Sequence, residues 1–281
     1  MWSKKWWLVA AGVTVLLVVA GFVWWRWDGT RQPRVEDVVA GMNTAVADAV
    51  TAAGQDVAVT VSPVVAAAEC PLGLLRTGRV FTGKADLYTD PGGEETLIDT
   101  IEQRLAGRYA VRRGTAVAGV RTLEADVGTI RLSARRLSPG WLAVTARSGC
   151  SLGTAGSGAP GSAAPGSSAP GSAAPGSGSP ASGVDAVNGL LTVVGARAAA
   201  VTEQHLRCPS GDMVTVSAVS EPVEAGRLAE RFLGTIPAGA RTFSAAGANR
   251  VAYRDGAVSV VIAASDDGAA VTAQHTVSCP G

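Results

Sequence analysis

The chain has 281 residues, 47% of them hydrophobic, and a formal net charge of +1. That length accommodates one to three domains with packed cores. A near-neutral charge excludes bulk electrostatic attraction to nucleic acid, so no nucleic-acid partner is expected. Lysine occurs only at Lys4, Lys5 and Lys84, against many arginines, alanines and glycines, a composition that fits a high-GC bacterial genome.

Six of the seven tryptophans fall in the first 27 residues, at Trp2, Trp6, Trp7, Trp24, Trp25 and Trp27. Between them runs an uncharged stretch from Leu8 to Val23. As a helix, the segment from Trp6 to Trp25 spans about 30 Å, the thickness of the hydrocarbon core of a bilayer. Indole rings favour the headgroup level, so tryptophans at both ends make an aromatic belt. Residues 6–27 therefore read as a single transmembrane anchor, with residues 1–5 as a short cytoplasmic N-terminus. Lys4 and Lys5 favour that orientation, whereas Arg26, Arg31 and Arg34 oppose it. The rival reading is a cleaved signal peptide, with a weak small-residue site at Val18-Val19-Ala20.

Residues 34–152 read as a first domain. An Ala/Val-rich helix is expected near Val35–Ala53, and a strand candidate follows at Val57, Val59 and Val61. A strand is expected near Gly78–Thr89. A second helix carries Leu97, Ile98, Ile101 and Leu105 at helical spacing, and three strands then close the domain. Asp90-Pro91-Gly92-Gly93 is a turn. Glu94 and Glu95 belong to the first turn of the second helix, where the dipole favours negative charge. Pro139-Gly140 marks the last turn.

Residues 153–183 form a linker of Gly, Ala, Ser and Pro without charge, in which Pro160, Pro165, Pro170, Pro175 and Pro180 recur every five residues. Such a composition cannot bury enough apolar surface to fold. Its root-mean-square span is about 30 Å, so the following domain is expected to move independently.

Residues 184–281 read as a second copy of the first domain. Asp37-Val38-Val39-Ala40-Gly41-Met42-Asn43-Thr44 parallels Asp185-Ala186-Val187-Asn188-Gly189-Leu190-Leu191-Thr192. Cys70-Pro71-Leu72-Gly73 parallels Cys208-Pro209-Ser210-Gly211. Ala143-Val144-Thr145-Ala146 recurs as Ala270-Val271-Thr272-Ala273. The order is the same in both halves. The second copy is given a first helix over Asp185–Glu203, a strand over Met213–Ser220 and a helix holding Leu228, Phe232 and Leu233. A hairpin turns at Asp255-Gly256, and Asp267-Gly268 marks the last turn. The expected fold is α+β: two duplicated domains, each an antiparallel sheet with helices on one face.

Four cysteines fall two per copy. Three pairings are open in principle, and duplication favours Cys70 with Cys150 and Cys208 with Cys279. Each bond would stabilise its domain by about 4 kcal/mol and requires an oxidising compartment. The two histidines, His205 and His275, lie beside the cysteines of the second copy. Two Cys and two His could complete a tetrahedral zinc set. The first copy keeps both cysteines and has no histidine, which fits a disulfide and not a metal. No metal or other cofactor is expected; a weaker alternative is a surface metal site using both imidazoles.

Catalytic motifs fail on inspection. Gly78–Ala85 matches a P-loop until Ala85, where the Mg²⁺-holding hydroxyl must stand, and its interior reads as strand. The G-x-G-x-x-G at Gly156–Gly161 lies in the linker, with no strand before it.

Charge is segregated in the first copy. Residues 31–102 carry five basic and eleven acidic side chains; residues 103–150 carry nine arginines against Glu124 and Asp126. In the strand Ile130–Arg135, alternation places Ile130, Leu132 and Ala134 inward, and Arg131, Ser133 and Arg135 outward. Arg108, Arg112, Arg113 and Arg136 extend this to a candidate patch for anionic lipid headgroups or envelope polymers. In the second copy Ser259, Val261 and Ala263 replace the outward charges. The expected function is a non-catalytic, membrane-anchored binding module of the bacterial envelope. Its two domains would lie outside the cytoplasm and contact a protein or polymer. The alternative is a metal-dependent or catalytic distal domain built on His205 and His275.

Overall fold

Helix α1 (Val35–Ala53) turns Val38, Val39, Met42, Val46 and Val50 into the core and ends at Gly54, whose φ of 86° stops it. It opens the first domain of a computed structural model that describes residues 14–22, 33–72, 76–117, 120–152, 183–223, 228–243 and 249–279. Of the expected anchor, residues 14–22 are described. They are helical, with Val15, Leu16, Leu17, Val18, Val19 and Phe22 exposed. The rest of segment 6–27, residues 1–5 and nearly all of the linker lie outside the described residues. Among those described, no helix is long and apolar enough to cross a membrane.

After α1 come β1 (Ala58–Pro71), β2 (Thr77–Tyr88), α2 (Glu94–Leu105), β3 (Ala110–Val117), β4 (Val120–Val127), β5 (Ile130–Ser138) and β6 (Trp141–Ser148). The second domain repeats the sequence of elements: α3 (Gly183–Val193), β7 (Ala198–Cys208), β8 (Gly211–Ser220), α4 (Leu228–Leu233), β9 (Arg241–Phe243), β10 (Arg250–Asp255), β11 (Val258–Ala264) and β12 (Val271–Val277). The sheets have matching orders, β1-β2-β6-β5-β4-β3 and β7-β8-β12-β11-β10-β9, and every pairing is antiparallel. Two similar α+β domains are thus established. Cys70 bonds Cys150 and Cys208 bonds Cys279, with Cα atoms 6.0 and 6.1 Å apart. Each bond ties the first strand of a copy to the chain just after its last strand. Two such bonds fit domains folded outside the cytoplasm.

Several expectations are corrected. The first helix of the second copy ends at Val193, and residues 198–203 are strand, not helix. An alanine run favours helix, but Gly195 (φ 74°) breaks it and backbone pairing to β8 claims the rest. The strand candidate at Val57, Val59 and Val61 begins at Ala58 as the start of the long β1, whose counterpart in the second copy is β7. Four strands, not three, follow α2 and α4, because β3 and β9 pair at the far edges. Leu233 is exposed, while Leu228 and Phe232 are buried.

The two domains are in contact. Ala58 and Tyr88 of the first share a buried cluster with Phe243, Ala252 and Val261 of the second, and Trp141 packs against it. Leu206, Cys208 and Met213 join the core of the first domain beside α1. The helix-free face of the second sheet thereby covers the edge strand β1 at Ala58–Val61. Burying an unpaired sheet edge removes an aggregation site.

Candidate binding site

The six arginines of the sequence-defined patch divide between two faces. Arg112, Arg131 and Arg135 share the helix-free face of the first sheet, because Arg112 pairs across to Glu124 and Arg131 to Asp126. Arg108, Arg113 and Arg136 lie towards the helices. Arg108 holds Asp48 at 2.7 Å, Arg113 holds Glu102 at 3.0 Å and Asp99 at 3.4 Å, and Arg136 stands 3.9 Å from the buried carboxylate of Glu94. The sequence-level charge segregation is therefore largely a set of ion pairs between sheet and helices. Exposed pairs of this kind stabilise little.

On the open face, Arg112 meets Glu124 at 3.0 Å and Asp126 at 2.8 Å, and Arg131 shares Asp126 at 3.1 Å. Lys84 meets Asp86 at 2.9 Å. Arg147 lies directly opposite Arg131 across β5 and β6, and Arg135 follows two positions along. Among the described residues no ion pair joins Arg135 or Arg147 to a carboxylate, so this face keeps an excess of cations. Arg147 is not among the six arginines expected from the sequence. Alternation of Leu142, Val144 and Ala146 against Ala143, Thr145 and Arg147 marks it as outward.

The equivalent face of the second domain is built differently. Gln204, Thr215, Thr276, Ser259 and Arg254 lie in one cross-strand row and are buried. Thr215 and Thr276 hydroxyls are 3.0 Å apart. Arg254 donates from Nη1 to the carbonyl of Val57 in the first domain, and from Nε to Gly256, both at 2.8 Å. Burial pulls the Arg254 pKa below its ordinary value, against the opposing charge of Asp56.

Where this row meets the end of α1, a cleft of about 300 Å³ opens between the domains. Val50, Thr51, Gly54, Gln55, Val59 and Arg104 line it from one side, and Arg254, Ser278 and Cys279 from the other. Helix α1 has no basic residue in its last turn. Arg104 of α2 supplies one, donating from Nη1 to the Ala52 carbonyl at 3.1 Å.

His205 and His275 share the helix side of the second sheet, but β8 runs between them: His205 pairs with Val214 and His275 with Val216. His205 meets Glu203 at 3.0 Å. Burial holds His275 below the ordinary imidazole pKa. Among the described residues, no group of three or more His, Cys, Asp or Glu is arranged to hold a metal.

No protein family and no curated protein matches the chain in sequence. Two solved structures show a faint likeness. The crystal structure of MucB in complex with MucA(peri) is 12% identical, over 83% of this chain and 92% of that one, with a TM-score of 0.13. The complex structure of Pseudomonas aeruginosa MucA/MucB is 13% identical, over 83% and 93%, with a TM-score of 0.12. Scores at that level carry no argument about this chain.

Proposed function

We propose that the chain is a membrane-tethered binding module without catalytic activity, whose domains stand outside the cytoplasm and meet an anionic envelope partner near the bilayer. The observation that supports this reading is the unequal treatment of two equivalent sheet faces. In the second copy the face is stripped of charge at Ser259, Val261 and Ala263, because it packs on the first domain. In the first copy much of the face stays open and carries Lys84, Arg112, Arg131, Arg135 and Arg147 against Asp86, Glu124 and Asp126. Helix α1 begins at Val35, a short way along the chain from the Trp-bracketed apolar segment, so a tether there would keep the first domain close to anionic headgroups or polymers attached to the envelope. The exposed apolar helix at residues 14–22 agrees with a tether. The alternative, a metal-dependent site on His205 and His275, has less support, since a strand separates the two imidazoles.

The test uses the full chain held in nanodiscs of neutral lipid and mixed with vesicles of phosphatidylglycerol or of phosphatidylcholine. The expected result is co-sedimentation with the anionic vesicles alone, weakening with salt and lost in the Arg131→Gln/Arg135→Gln/Arg147→Gln variant. Equal binding by that variant would remove the basis of the reading.

A further inference from the structure

Strands β1 and β7 hold equivalent places: Ala58 opens β1 opposite Tyr88, the end of β2, and Ala198 opens β7 opposite Ser220, the end of β8. Each is the edge of its sheet, so its outward N–H and C=O groups have no strand beside them. The two copies treat that edge differently. Ala58, Val59, Thr60 and Val61 are buried, none more than 3% exposed. In the matching run of β7, Ala199, Ala200, Val201, Thr202 and Glu203 are exposed. Burial begins only at Gln204, and Leu206 joins the core of the first domain. Val219, opposite Ala200 on β8, is 43% exposed, so apolar surface continues around the edge. Open edges usually carry guards against pairing. The exposed half of β1 has them: Pro63 lacks an N–H, Glu69 is charged, and bulges fall between Ser62 and Val65 and between Ala66 and Ala68. Strand β7 has no proline and one bulge, between Ala198 and Ala200. Its charges sit at the two ends of the open run with opposite sign, Arg197 three residues before Ala200 and Glu203 three after. Among the described residues no ion pair joins Arg197 to a carboxylate, and Glu203 meets His205 of its own strand at 3.0 Å, an exposed contact that is cheaply exchanged.

From this arrangement we propose that the β7 edge is a docking surface for a second copy of this chain, the two β7 strands pairing antiparallel about a two-fold axis near Ala200. The sheets of the two second domains then run on as one. Antiparallel pairing sets Arg197 of each chain beside Glu203 of the other, so one pair of residues makes two ion pairs across the axis. Parallel pairing would set Arg197 against Arg197 and Glu203 against Glu203, so the charges select the antiparallel direction. Val201 and Val219 flank the seam and lose apolar surface to water on pairing. Because the strand is buried from Gln204 on, the seam is limited to residues 198–203, which keeps the interface small and the dimer weak in dilute solution. The surface belongs to the second domain and is independent of the open arginine face of the first.

The experiment measures sedimentation velocity of the full, disulfide-intact chain in detergent, up to on the order of 100 µM. The parent should pass from monomer to dimer over that range. Arg197→Glu and Glu203→Arg each turn two attractive pairs into two repulsive ones and should weaken the dimer about tenfold. The double reversal Arg197→Glu/Glu203→Arg restores opposite charges and should dimerise as the parent does. Both positions are exposed, so all three variants should keep the parent's Tm. In a second arm, Ala200→Cys places a thiol at the axis, where facing Cα atoms stand about 4.5–5.5 Å apart, within disulfide range. Mild oxidation should yield a covalent dimer from Ala200→Cys and none from Ala67→Cys on the exposed half of β1. The proposal is overturned if the parent stays monomeric, or if a single reversal dimerises like the parent, as it would were the N-terminal segment holding the dimer. It is equally overturned if the double reversal fails to recover, or if Ala67→Cys crosslinks as readily as Ala200→Cys.

Discussion

The guanidinium of Arg250 lies 3.7 Å from the ring centroid of Trp141, so a cation of the second domain covers the one tryptophan outside the N-terminal segment. The same ring stacks on Tyr88 at 6.1 Å and donates its Nε1–H to Asp86 at 2.8 Å. Trp141 therefore holds sheet to sheet. Trp141→Ala is expected to cost about 3 kcal/mol, from lost packing and lost cation–π attraction. Trp141→Phe, which keeps most of the ring area, should cost about 1 kcal/mol. Urea unfolding measures both, and the alanine variant should show the two domains unfolding in separate transitions.

Arg254 bridges Val57 and Gly256 with two nitrogens of one rigid fork. An ammonium group cannot reproduce that geometry. Arg254→Lys is expected to destabilise by about 1–3 kcal/mol, the cost of leaving a buried carbonyl unpaired. An unchanged denaturation midpoint would contradict the role given to it.

The disulfides close loops of 80 and 71 residues. Replacing either pair by alanine is expected to cost about 4 kcal/mol in the chain-entropy account. Chemical denaturation of each double variant checks the figure, and thiol titration of the unfolded parent should find no free cysteine.

Glu94 is 2% exposed and accepts from the amides of Gly140 and Gly92. Burial raises its pKa, but those hydrogen bonds and the charge of Arg136 outweigh burial and hold it below the ordinary value of 4.5. A depressed carboxyl pKa stabilises the fold above the unfolded pKa, and that contribution is lost as pH falls through the folded one. Stability should thus decline on acidification below about pH 4.5. Glu94→Gln should lose about 1–3 kcal/mol at neutral pH and flatten that acid limb. Urea midpoints between pH 3 and pH 7, on the order of single-unit steps, test it.

Gly41 and Gly189 occupy matching places in the two copies. A methyl at Gly41 would stand 2.7 Å from Ile130 Cδ1, whereas one at Gly189 meets nothing within 4 Å. Gly189→Ala should therefore stabilise by up to about 1 kcal/mol through helix propensity. Gly41→Ala should fall short of that gain, because α1 crosses β5 too closely. Paired melting curves decide.

Local signals made much of the fold legible. The apolar spacing of α1 and α2 gave their limits closely, since a helix buried on one side writes its period into the chain. Asp255-Gly256 marked the β10–β11 hairpin, where Gly256 takes a φ of 55°. The run Ala198-Ala199-Ala200-Val201 misled, because its helix propensity is intrinsic whereas its strand pairing depends on β8, a distant partner.

The sequence by itself determined the duplication, the paired cysteines and the outward set of arginines on β5, because repeats, counts and alternation are properties of the chain read locally. Only the tertiary structure decided that the copies pack face against edge, that three of the six arginines turn to the helices, and that Arg104 and Arg254 line one cleft. Contacts between residues more than a hundred positions apart are set by the docking of whole sheets, and no spacing within a segment encodes them.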